Sequence, residues 1–141
     1  MSAARTGYIL ETLGMDDHTI NLGLTAAWLH DLGNTINRVD HSQSGALMSF
    51  YLLDKMGIAA EDIAPVIRAI GNHDEVFGVS VRDLTAALII ADKSDVRRSR
   101  VQDEVENFDI HDRVNYSVKS SHKQRTDIDV KYIISEGWML V

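Results

Sequence analysis

Cysteine is absent from the 141 residues, and with it go disulfides, thiolate catalysis and zinc–thiolate sites. Any metal must then be held by imidazole and carboxylate. Proline occurs once, so little along the chain breaks helices. No run approaches the ~20 apolar residues of a membrane span, and the N-terminus lacks the charged-then-apolar pattern of a signal peptide. A cytoplasmic protein with no membrane partner is the expectation. Positive charge is in deficit, with 14 Lys and Arg against 21 Asp and Glu, a net charge of −7. That disfavours an extended nucleic-acid surface, which must neutralise many phosphates at once. A small phosphorylated substrate needs only a local cluster of cations.

What is present is the balance of a folded globular chain, 45% hydrophobic and 25% charged, of a size for one domain with a single core. Glycines punctuate a series of expected helices. Met1 to Leu13 is the first, stopped at Gly14. A second starts near Asp16 or Asp17, carries Leu22, Ala26 and Leu29 on one face, and ends at Asp31. Asn34 to Asp40 reads as a loop. Ser42 then caps a third helix with Leu47, Phe50, Tyr51 and Leu53, ending at Gly57. A fourth runs from Glu61 to near His73, with Pro65 tolerable only close to its start. Ser80 followed by Asp83 resembles a capping signal for a fifth, whose apolar stretch Leu84 to Ala91 predicts a central, buried helix.

Beyond Gln102 the pattern changes. Val130, Tyr132 and Ile134 alternate with Lys131, Ile133 and Ser135, which predicts a hairpin pairing Val118 to Gln124 with Ile128 to Ser135. The expected fold is therefore mainly α, with a small C-terminal antiparallel β-hairpin. Residues 1–105 form the helical metal-binding part, and residues 106–141 a helix and hairpin extension of it. The hairpin's open edge predicts a homodimer through sheet extension.

Five residues carry metal-binding chemistry. His30 and Asp31 are adjacent at the end of the second helix, where both side chains can converge on an ion beyond the helix end. His41 follows one short loop later, and His73 ends the fourth helix. Asp92 interrupts the apolar run Leu88, Ile89, Ile90, Ala91, where a charge is costly unless paired or coordinated.

The ordered set of Ala26 to Gly33 ending in His30, Asp31, Leu32 and Gly33, then His41 with Gly45 and Ala46, then Ala69, Ile70 and His73, then Ile89 to Lys93 around Asp92, resembles the HD superfamily of metal-dependent phosphohydrolases. The resemblance spans roughly Ala3 to Arg100. It implies an HD-type helical bundle holding one or two divalent transition-metal ions, of iron, manganese, nickel, cobalt or zinc. It also implies that Asp31 bridges the ions, with His30 and Asp92 on the first and His41 and His73 on the second. The implied reaction is hydrolysis of a small phosphoester, such as a nucleotide, by metal-activated water.

The chain departs from that pattern in two places. The superfamily's histidine near the start of the preceding helix has no counterpart, and counting back from Gly14 puts its position just before Met1. His18 cannot replace it, lying twelve residues before His30 on the same helix, ~18 Å away at ~1.5 Å per residue. Asn34 stands where many relatives carry lysine. Arg38, in the loop between His30 and His41, is the expected substrate-contacting cation. Lys93, Arg97 and Arg100 share a helical face that reads as solvated or structurally paired. His111 reads as structural and His122 as exposed. Two other functions are open: a catalytically silent, metal-binding regulatory or scaffold domain, and a diiron oxygenase, since some relatives with this ligand order activate dioxygen.

Overall fold

The computed structural model describes residues 2–74, 82–94 and 116, and the backbone of 120–125 and 130–135. The chain divides into two compact units, Met1–Asp92 and Lys93–Val141. Its described part is mainly helical: α1 (Ser2–Thr12), α2 (Asp17–Leu29), a 3-10 turn (Leu32–Thr35), α3 (His41–Lys55), α4 (Ala60–Gly71) and α5 (Asp83–Lys93). Two strands, β1 (Ser120–Arg125) and β2 (Val130–Ser135), pair antiparallel with Ser120 opposite Ser135 and Arg125 opposite Val130. The Ser80 signal, Arg97, Arg100 and His111 lie outside the described residues, as does the His122 side chain.

Local chemistry sets the helix boundaries. Gly14 and Gly57 follow α1 and α3 at φ 73° and 77°, a left-handed conformation that glycine adopts without a Cβ clash. Asp16 caps α2, its carboxylate accepting the Thr19 amide at 2.7 Å. The second helix stops at Leu29, two residues short of expectation, with His30 as its C-cap. Asp31 instead opens the 3-10 turn, its carbonyl accepting the Asn34 amide at 3.0 Å. Ser42 does not cap α3. The helix begins at His41 because the Asp40 carbonyl already takes the Gln43 and Ser44 amides, and Asp40 itself sits at φ 57°. Pro65 lies in the second turn of α4 rather than at its start. The Glu61 carbonyl thereby loses its intrahelical partner, and Glu61 is exposed.

The core of the first unit brings Ala26 and Ala27 of α2 together with Ile63, Val66, Ala69 and Ile70 of α4 and Leu84 and Leu88 of α5. Leu10, Val66, Ile70 and Leu88 are the large aliphatic side chains most completely buried, each stabilising the fold by about 1.5–3 kcal/mol. Two expectations about buried helix faces are corrected. The buried face of α3 is His41, Ser42, Gly45, Ser49 and Leu53, so of the expected apolar set Leu53 alone is buried. Leu47, Phe50 and Tyr51 are exposed instead. Small residues at four-residue steps let α3 approach the 3-10 turn closely: a Cβ on Gly33 would overlap the His41 carbonyl oxygen and lie 2.7 Å from the Gly45 nitrogen. The fifth helix is buried on one face only, with Ile90 exposed.

Candidate metal centre

Three imidazoles are oriented by one device. His30 Nδ1 donates to the Ala27 carbonyl at 2.8 Å, His41 Nδ1 to Arg38 at 2.9 Å and His73 Nδ1 to Ile70 at 2.6 Å. In each case the acceptor lies three residues upstream. For His30 and His73 these are last-turn carbonyls, free of the i+4 amides that would cap them in mid-helix; for His41 it is the carbonyl of the turn that leads into α3. A carbonyl only accepts, so each Nδ1 carries the proton and each Nε2 presents a lone pair. Orientation of a ligating imidazole through its second nitrogen is the usual companion of metal binding.

Those Nε2 atoms converge. His41 and His73 bring theirs to 3.2 Å, and the ring of His73 lies edge-on to both His30 and His41, with centroids 5.1 Å apart in each case. Two lone pairs at that separation repel unless a cation or proton lies between them. The spacing suits two nitrogens ~2.0–2.1 Å from one ion at an angle of ~100°. His30 Nε2 is buried and satisfied by no hydrogen bond, with Asp31 Oδ2 at 3.3 Å and Asp92 Oδ1 at 3.5 Å. Asp31 Oδ1 lies 3.8 Å from His41 Nε2. The two oxygens of Asp31 therefore face different histidines. Ligand atoms of His30, Asp31 and His73 all fall within 4.8 Å of one another. An orphaned buried nitrogen, opposed lone pairs and nearby carboxylates together fit a divalent ion, and the cluster can hold one.

Burial and charge divide the site. The side chains of His30, His41 and Asp92 are buried, whereas that of Asp31 is 49% exposed, so the cluster meets solvent on the Asp31 side. Burial by itself lowers the proton affinity of His30, but contact with Asp92, the negative charges of Asp31 and Asp92 and the Ala27 carbonyl outweigh it and raise its pKa above 6.5. His73 moves the other way. Burial dominates, neighbouring His30 and His41 add to it, and the Ile70 carbonyl and Asp92 only partly offset it, so its pKa falls below 6.5.

All five residues singled out in the sequence meet at this end of the first unit. Arg38 is exposed, and the contact it makes to the cluster is its backbone carbonyl on His41. His18 stands apart and binds Asp62 at 2.9 Å, tying α2 to α4. Two further residues belong to the site. Asp74 places a carboxylate oxygen 3.8 Å from His41 Nδ1; its signal was its position directly after His73, a second His-Asp pair. Asn34 donates its amide to Asp31 Oδ1 at 2.8 Å and so positions that carboxylate. Gln43 bonds the Gly71 carbonyl at 2.7 Å and fastens the start of α3 to the end of α4, beside His73. Comparison with family models, curated proteins and solved structures gave no match.

Proposed function

We propose that the chain is an HD-type, metal-dependent phosphohydrolase acting on a small phosphoester, with nucleotides the first class to test. The carrying observation is Asp31: one carboxylate oxygen faces His30, which neighbours Asp92, and the other faces His41, which neighbours His73. That is the arrangement expected of a bridging ligand between a His30–Asp92 half and a His41–His73 half. A bound divalent ion supplies charge neutralisation at the phosphoryl oxygens and acidifies water.

The protein's own part is positional. Three Nδ1 bonds to backbone carbonyls hold the imidazoles in register, and Asn34 holds Asp31. Substrate reaches the centre past the half-exposed Asp31. Arg38, exposed in the loop between Asp31 and His41, contacts the phosphate. The buried side of the cluster, against Ala27 and Ile70, shields the ligands from bulk water, which strengthens their electrostatic hold.

The test is a screen of the metal-loaded chain against aryl phosphates and nucleotides with manganese, repeated with iron, nickel, cobalt and zinc. Turnover that chelator abolishes and metal restores supports the reading. Tight metal binding without turnover of any phosphoester overturns it in favour of a regulatory domain, and dioxygen consumption coupled to an iron spectral change overturns it in favour of an oxygenase.

A further inference from the structure

The outer face of α3 is left exposed by the fold. Leu47, Phe50 and Tyr51 are 64%, 38% and 70% exposed, and Asp54, also exposed, completes a stripe at i, i+3, i+4 and i+7. Phe50 and Tyr51 already meet edge to face, with ring centroids 5.6 Å apart at 72°. Beside the stripe a groove of about 670 Å³ runs between α3 and α4, lined in part by Leu47, Phe50, Ile67 and Arg68. The opposite face of α3 is already committed to the core through Gly45, Ser49 and Leu53. Clustered exposed apolar side chains of this kind mark interaction surfaces.

We propose that this face joins two copies of the chain, with α3 antiparallel to its counterpart about a two-fold axis between Phe50 and Tyr51. The patch is self-complementary, as an isologous contact requires. Antiparallel pairing about that axis sets Phe50 against the partner's Tyr51 and gathers four aromatic rings at the centre. It also sets Leu47 against the partner's Asp54. Arg68 lines the same groove as Leu47, so each copy offers a guanidinium in the groove that the other copy's carboxylate approaches. Two such pairs act locally against the repulsion between two chains of net charge −7. The contact needs neither the metal centre nor the edge of the β1–β2 hairpin.

Sedimentation velocity of the full chain over a wide concentration range tests this. The wild type is expected to dimerise reversibly. Tyr51→Glu, at an exposed position, is expected to give a monomer with an unchanged helical circular-dichroism spectrum and a melt no longer dependent on protein concentration. Arg68→Glu and Asp54→Arg are each expected to weaken the dimer by about tenfold or more, and the double charge swap to recover most of that loss. A strictly monomeric wild type, a dimer indifferent to Tyr51→Glu, or a double swap no tighter than either single variant would each overturn the proposal.

Discussion

Replacing Gly33 with alanine is expected to damage stability and metal binding together. The added methyl overlaps the His41 carbonyl oxygen and lies 2.5 Å from Ser44 Oγ and 2.7 Å from the Gly45 nitrogen. Ser44 can rotate away, but two of the three obstacles are backbone, so relief requires the start of α3 to retreat. Overpacking of this kind costs about 1–3 kcal/mol or somewhat more. At roughly 4–8 °C per kcal/mol for a unit of this size, a cost near the upper figure of about 3 kcal/mol lowers Tm by about 12–24 °C. The same retreat carries His41 away from His73. Because metal–ligand distances tolerate only about 0.2 Å, affinity for a divalent ion should fall at least about tenfold. Circular-dichroism melts in chelator measure the first effect and a competitive metal titration the second. Gly45→Ala grades the response, since its methyl meets the Gly33 nitrogen at 3.1 Å and the His30 carbonyl at 3.4 Å, a smaller overlap. Gly14→Ala separates the effects: its methyl meets nothing within 4 Å but sits at φ 73°, so it should cost about 1–2 kcal/mol and leave metal affinity alone. Wild-type Tm and affinity in Gly33→Ala would refute the close approach of α3 to the turn.

Asn34→Ala removes the amide that holds Asp31 Oδ1; at this exposed position stability should change by less than about 1 kcal/mol, while metal affinity in titration drops about 10–100-fold. Ser49→Ala deletes a buried hydroxyl without a hydrogen-bond partner, so it should leave the urea midpoint unchanged or raise stability by about 1 kcal/mol. Metal and protons compete for Nε2, and His30 holds its proton above 6.5 whereas His73 gives its up below 6.5. Metal affinity should therefore fall as pH is lowered, beginning above 6.5 with the loss of about one site for the metal to a proton on His30. A flat profile across the neutral range would contradict that order.

Helix ends were legible wherever a single residue decides them. Gly14 and Gly57 carry the positive φ that stops α1 and α3, and Asp16 bonds Thr19 as a cap does. The mainly α character follows from the same signals. The face of α3 was not legible, because an apolar stripe is the usual sign of burial and here the buried stripe is Gly45 and Ser49. What selects it is backbone proximity to Gly33, a tertiary contact with no periodic signature. Within the site, four ligand candidates could be read from residue type and helix ends, and the fifth, Asp92, from the cost of a charge in an apolar run. The three Nδ1 bonds to backbone carbonyls could not, since they depend on where each helix stops to within one residue. For Asn34 the sequence shows only an uncharged side chain, whereas its reach to Asp31 depends on the conformation of the 3-10 turn.

The central claim is that His30, Asp31, His41, His73 and Asp92 hold a divalent metal. Its most direct test is the metal content of the purified chain after loading and removal of excess ion, in the wild type and in Asp31→Ala and His73→Ala. At least one equivalent should remain in the wild type, and both variants should lose most of it while keeping a helical circular-dichroism spectrum. A wild type that retains no metal, or variants that retain as much as it does, would contradict the account.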